Sequence, residues 1–246
     1  MKRVLLTISY DGTDFHGWQY QPELLTVQGV LEEALYKLFS KKVTVIGSSR
    51  TDAGVHANGF CCHLDCDDNI PDAAFLRGIN SLLPPTVAVL GVKEVESDFH
   101  ARYDAQGKTY VYHIYNSYKK DAFKTRYAWH IERSLNIDLM NEFCQKIVGT
   151  HDFSAFCSAG ATVETTVRTI KECYVEKNGD DVTLTVTADG FLYNMVRIIV
   201  GTAVAVSDKR INPTDINGIL NSKKRDAAGM TAPPQGLFLE KVIYDA

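Results

Sequence analysis

No stretch approaches the about 18 consecutive apolar residues that a membrane-spanning helix requires, so no such span is expected. The apolar start Met1-Lys2-Arg3-Val4-Leu5-Leu6 runs into Thr7, Ser9, Tyr10 and Asp11 with no small-residue cleavage site behind it. It therefore does not read as a signal peptide. Cysteine is sparse, six in 246 residues, and too irregularly placed for a disulfide framework; the cytoplasm is the expected compartment. An excess of basic residues is also missing. Twenty-six Lys+Arg against thirty Asp+Glu leave a formal net charge of −4, so bulk charge does not announce nucleic acid. Phosphate binding needs only a local positive face, which Lys41-Lys42, Lys119-Lys120 with Lys124 and Arg126, or Lys223-Lys224-Arg225 could supply. Neither GxxxxGK[ST] nor GxGxxG occurs, which removes support for nucleotide-driven chemistry and for a dinucleotide cofactor. No serine-centred nucleophile elbow appears.

What is present reads as a repeated α+β pattern. Arg3–Tyr10 has strand composition, and Asp11-Gly12 turns the chain. Thr26 can cap a helix through Phe39 that carries Val27, Val30, Leu31, Ala34, Leu35 and Leu38 at helical spacing. Strands are expected at Val43–Gly47 and Val55–Leu64, a helix from Pro71 to about Leu82, and a strand at Val87–Val95. The second half repeats the order: a strand at Lys108–Ser117, a helix at Asp138–Val148, and a hairpin of Val167–Glu176 and Val182–Ala188 across Asn178-Gly179. An apolar helix at Leu192–Val206, a short one at Thr214–Asn221 and a strand at Leu237–Tyr244 complete it. Two ferredoxin-like β-α-β-β-α-β halves are expected, residues 1–104 and 105–246. With no spacer rich in Pro, Gly or Ser between them, their mainly antiparallel sheets are expected to pack around a central cleft.

Three stretches could carry chemistry. In Gly47-Ser48-Ser49-Arg50-Thr51-Asp52-Ala53-Gly54-Val55-His56-Ala57, a cation and an anion two apart are surrounded by small side chains, which let another molecule approach the backbone. Asp52 is a candidate nucleophile or base; the alternative is a carboxylate closing its own Asx-turn. In Lys108-Thr109-Tyr110-Val111-Tyr112-His113, strand periodicity puts Lys108, Tyr110 and Tyr112 on one face, a pattern suited to stacking on bases or simply to a sheet. In Phe191–Gly201, Arg197 is the sole charge in an apolar helix and needs a partner if buried. Asp52 and Asp189 are the candidate partners, and an Arg that extends its head to water is the third possibility. Cys61-Cys62-His63 has no second Cys/His pair at finger spacing, which argues against zinc; no metal site is expected.

Five motifs in order resemble the tRNA pseudouridine synthase A family over nearly the whole chain. They are Tyr10–Gln19, Arg50–Ala57, Lys108–Tyr110, Phe191–Arg197 and Thr231–Leu237; the octet Arg-Thr-Asp-Ala-Gly-Val-His-Ala is the most specific. Ser48-Ser49 departs from relatives, which often carry Ala and Gly there. The resemblance implies a pseudouridine synthase fold and isomerisation of uridine to pseudouridine at positions 38, 39 and 40 of the tRNA anticodon stem-loop. It implies a homodimer and no ATP, metal or organic cofactor. It also implies that the base flips out of the stem and that Asp52 is the nucleophile, attacking C1′ of the ribose or, in the competing scheme, C6 of the base. Arg197 would pair with Asp52, Tyr110 would stack on the uracil, and Arg50 would contact the RNA backbone or fill the vacated space. An RNA-binding module without catalysis, and a synthase acting on another RNA, are the readings from other classes.

Overall fold

In the computed structural model, which describes residues 1–66, 71–160 and 163–245, β1 (Lys2–Tyr10) is the first element. Its inward side chains Val4, Leu6, Ile8 and Tyr10 alternate with less buried ones, the period of a strand with one face on a core. α1 (Val27–Phe39) follows, with the Thr26 hydroxyl accepting from the Gly29 N–H at its start and Ser40 in the left-handed conformation at its end. β2 is only Ile46–Gly47, shorter than the Val43–Gly47 expected, and the reason lies in who bonds Val45. The Val45 N–H donates to Glu32 and its carbonyl accepts from the Gln28 amide, so α1 side chains take the groups a neighbouring strand would have used.

β3 (His56–Cys66), α2 (Asp72–Leu82) and β4 (Val87–Val95) complete the first βαββαβ unit. β1 lies between β4 and β3, antiparallel to both, and β2 pairs antiparallel with the far part of β3. This is the connectivity of a ferredoxin-like sheet. α1 and α2 pack together, and α2 lies against β4.

The second set begins with β5 (Ala105–Asn116), β6 (Trp129–Ile131), α3 (Ile137–Ile147) and β7 (Gly149–Asp152). Next come β8 (Val167–Asn178), β9 (Asp181–Ala188), α4 (Met195–Ser207), α5 (Ile216–Ser222) and β10 (Leu237–Tyr244). The β8–β9 hairpin closes through Gly179-Asp180, with Gly179 at φ +60°, beside the turn predicted at Asn178-Gly179. β5, β9, β8 and β7 form an antiparallel ladder, β6 runs parallel to β5, and α3 packs on β8 and α4. The mixed α+β fold, mainly antiparallel, matches the fold class predicted from sequence.

The described residues divide into two units, Met1–Gln106 with Phe238–Ala246, and Gly107–Leu237. β10, which the sequence reading put in the second half, groups with the first. There Phe238 and Leu239 run parallel to His56 and Ala57 of β3. Two further differences have local causes. α4 starts at Met195 rather than Leu192 because Asn194 sits at φ +60°, a left-handed conformation that cannot continue a helix upstream. β6 and β7, three and four residues long, carry too short a pattern to stand out from loop.

Candidate active site

Each unit gathers some of the five motifs around one candidate side chain. In the first unit the Asp52 loop is cradled by the Tyr10–Gln19 segment. The Tyr10 hydroxyl lies 2.8 Å from Thr51 Oγ1, the Trp18 N–H donates to the Thr51 carbonyl, and the Gly54 N–H donates to the Phe15 carbonyl. The Gly12 N–H donates to Nδ1 of His56, a fully buried ring stacked on Phe238. Two glycines make this approach possible. A Cβ on Gly12 would fall 1.9 Å from the Val55 carbonyl oxygen, and one on Gly17, at φ +88°, would fall 2.5 Å from that of Thr51. Beneath the loop the Trp18 indole stacks on Phe60 at 4.1 Å between centroids, and the Ser48 N–H ties the loop to the Cys61 carbonyl.

Within this cradle Asp52 is half-buried and Arg50 is exposed. The Val55 N–H donates to the Asp52 backbone carbonyl and the Gly54 N–H is taken by Phe15, with Gly54 at φ +76°. These main-chain bonds close the turn. Asp52 thus sits in a loop whose backbone is fixed on both sides.

The second unit assembles the other three motifs. Arg197, half-buried in the first turn of α4, donates from Nε to the Ala232 carbonyl at 2.7 Å and from Nη1 to Asn194 Oδ1 at 2.7 Å. The Ala232 N–H returns a bond to the Arg197 carbonyl. Asn194 is itself held, donating to the Ser158 hydroxyl. The alternative partner Asp189 instead accepts from the Thr169 N–H, pairing with β8. A cation gripped by a carbonyl and an amide oxygen loses its rotamer freedom.

The Thr231–Leu237 segment, identified in the sequence only through resemblance, has a clear structural task. Besides holding Arg197, it accepts the Tyr112 hydroxyl on the Pro233 carbonyl at 2.7 Å. Burial pushes the Tyr112 phenol well above its ordinary range, so it stays a donor. Gly236 sits so close that a Cβ would lie 2.6 Å from the His113 carbonyl and 2.7 Å from the Tyr112 ring. Gly201 lets the same segment run against α4, since a Cβ there would lie 1.8 Å from the Met230 carbonyl oxygen. Thr202 completes the seam by accepting the Gly229 N–H. Tyr110, on β5, is 6% exposed and packs edge-on against Phe191, six residues ahead of Arg197.

Asp52 and Arg50 therefore belong to the first unit, and Tyr110 and Arg197 to the second. Sequence reasoning missed Thr51, Phe191, Asn194 and the Ala232 carbonyl as the groups that position them. The motif boundaries were the available signal, since every one of these groups lies inside or next to a quoted motif. His63 of the Cys61-Cys62-His63 cluster accepts the Ala101 N–H on Nδ1, a structural bond.

Residues 6–104 and 143–245 match the profile of the tRNA pseudouridine synthase family. The tRNA pseudouridine synthase A of Clostridium botulinum (strain Eklund 17B) is 46% identical over 244 residues, spanning 99% of this chain and 100% of that protein. The proteins of the same name from Brevibacillus brevis and Thermoanaerobacter sp. (strain X514) are 46% and 45% identical over the same spans. Among the described residues no helix is long and apolar enough to cross a membrane. With the profile match running through both units and full-length identity near one half, the chain belongs to the tRNA pseudouridine synthase family.

Proposed function

We propose that this chain isomerises uridine to pseudouridine at positions 38, 39 and 40 of the tRNA anticodon stem-loop. Asp52 is the nucleophile. A paired base cannot turn within its stem, so the target nucleotide flips out, at a cost of a few kcal/mol. The Asp52 carboxylate then attacks C1′ as the C1′–N1 bond breaks, giving a glycosyl ester and a detached uracil anion. The uracil rotates, C5 bonds to C1′, the ester bond breaks and Asp52 is regenerated. Loss of the proton from C5 and gain of one at N1 restore the aromatic ring. No atom is gained or lost overall, so the reaction needs no oxidant or reductant.

The observation that carries this reading is the Asp52 loop itself, a carboxylate on a main chain bonded to Trp18 and Phe15, inside the octet Arg50–Ala57. A nucleophile held in this way loses little freedom in reaching the transition state. In the reacting complex Arg197 pairs with Asp52 and fixes its direction. Tyr110 stacks on the uracil, with its hydroxyl assisting removal of the C5 proton. Arg50, exposed, contacts the RNA backbone or fills the space the nucleotide leaves. The protein works in the cytoplasm as a homodimer on tRNA, and its affinity falls steeply with salt.

Mapping pseudouridine in tRNA from a strain lacking the gene tests the assignment. Loss at positions 38, 39 and 40, restored by the wild-type gene, is the expected result. Loss in another RNA with these positions intact overturns it.

A further inference from the structure

We propose that the loop 118–127, between β5 and β6, is a second tRNA-contacting surface that stacks unpaired bases and neutralises the phosphates beside them. This rests on the tRNA reading above and adds a contact outside the residues assigned to the reaction.

In a chain of net charge −4, the ten residues 118–127 hold four cations, Lys119, Lys120, Lys124 and Arg126, against the single carboxylate Asp121. Interleaved with them are Tyr118, Phe123 and Tyr127, which are 78%, 89% and 41% exposed. Phe123 is the most exposed large apolar side chain among the described residues. Lys119 Nζ lies 5.4 Å from the Tyr118 ring centroid. At the base of the loop Lys124 Nζ sits 4.7 Å from the Tyr115 ring and pairs with Asp181. Rings open on one face with cations alongside are what single-stranded nucleic acid requires, since every base has a π-face and every step a phosphate.

The loop is also pre-shaped. Asp121 turns its carboxylate inward to the Phe123 N–H, Thr125 Oγ1 donates to the Ala122 carbonyl, and the Tyr127 N–H donates to the Lys124 carbonyl. The one acidic group thus braces the turn, and binding need not order the backbone first. The basic run Lys223-Lys224-Arg225 contains no aromatic residue to stack on a base. Lys223 pairs with Asp152, and Arg225 donates to the Gly229 carbonyl and Thr231, so two of its three cations serve the fold. A protein partner fits loop 118–127 less well, because the cores of protein interfaces are depleted in lysine.

The test uses the full chain, unmodified tRNA and the variants K119E/K120E, Y118A/F123A and F123W. Y118A/F123A should weaken tRNA binding about tenfold or more, while F123W, which keeps a ring, retains affinity. K119E/K120E should reduce the slope of log affinity against log salt by about 1.5. Unchanged affinity and salt slope, or an F123W as weak as Y118A/F123A, would overturn the proposal. So would affinity lost only in step with a shift in sedimentation, which would mark the loop as a contact between copies of the chain. A wild-type protein that binds tRNA through this loop but forms no pseudouridine would instead refute the catalytic reading.

Discussion

Replacing Gly201 by alanine sets two effects of opposite sign against each other. Position 201 lies inside α4 with no positive φ, so helix propensity alone predicts that Ala stabilises by about 0.5–1 kcal/mol. The new Cβ would sit 1.8 Å from the Met230 carbonyl oxygen and 2.8 Å from its carbon, both backbone atoms that no rotamer change can move aside. Overpacking of this kind costs about 1–3 kcal/mol, and more where main chain must shift. Packing therefore wins, with a net loss of about 2 kcal/mol and a fall in Tm of about 4–8 °C for a chain of this length. The displaced segment is the one whose Ala232 carbonyl grips Arg197 Nε, so turnover should fall as well. Tm by calorimetry and kcat by tritium release from tRNA labelled at C5 of uridine read both effects. A Gly201→Ala protein with unchanged or raised Tm and wild-type kcat would refute the reasoning.

Two other outcomes follow from the same contacts. Tyr10→Phe removes the hydroxyl bonded to Thr51 Oγ1 and should lower stability by about 1 kcal/mol while reducing kcat more than it alters KM; urea unfolding and steady-state kinetics check it, and an unchanged kcat would separate Tyr10 from the Asp52 loop. His63, buried and accepting the Ala101 N–H on Nδ1, has its pKa lowered from 6.5 to about 4, first by burial and then by Arg3 and His100. The folded state binds this proton less readily than the unfolded chain does, so the stability it contributes is complete above pH 6.5 and drains away as pH falls toward 4. Between neutral pH and about pH 5 the loss should be about 2 kcal/mol, and His63→Gln should flatten that part of the urea-stability profile. An identical profile in the variant would contradict the assignment.

Local rules made much of this fold legible. Thr26 before a helical run gave α1 its start, Gly179 marked the hairpin, and Val87–Val95 emerged as β4 with the predicted bounds. The departures arose where distant groups intervened. Val43 and Val45 alternate as a strand should and are buried, but Gln28 and Glu32 of α1 satisfy Val45's backbone. The site followed the same division. Asp52 and Gly54 could be picked out as candidates because small residues around a cation and an anion two apart are a local pattern. The grip of Ala232 on Arg197, and the close passage of Met230 over Gly201, join segments about thirty residues apart that no periodicity links.

The central claim is that the carboxylate at position 52 forms a bond to the nucleotide. Asp52→Asn keeps the size and the main-chain bonds of the loop but removes the nucleophile. Single-turnover tritium release from tRNA labelled at C5 of uridine, measured beside tRNA affinity, should show binding close to wild type and no release above background. Release at a rate within tenfold of the wild type would contradict it.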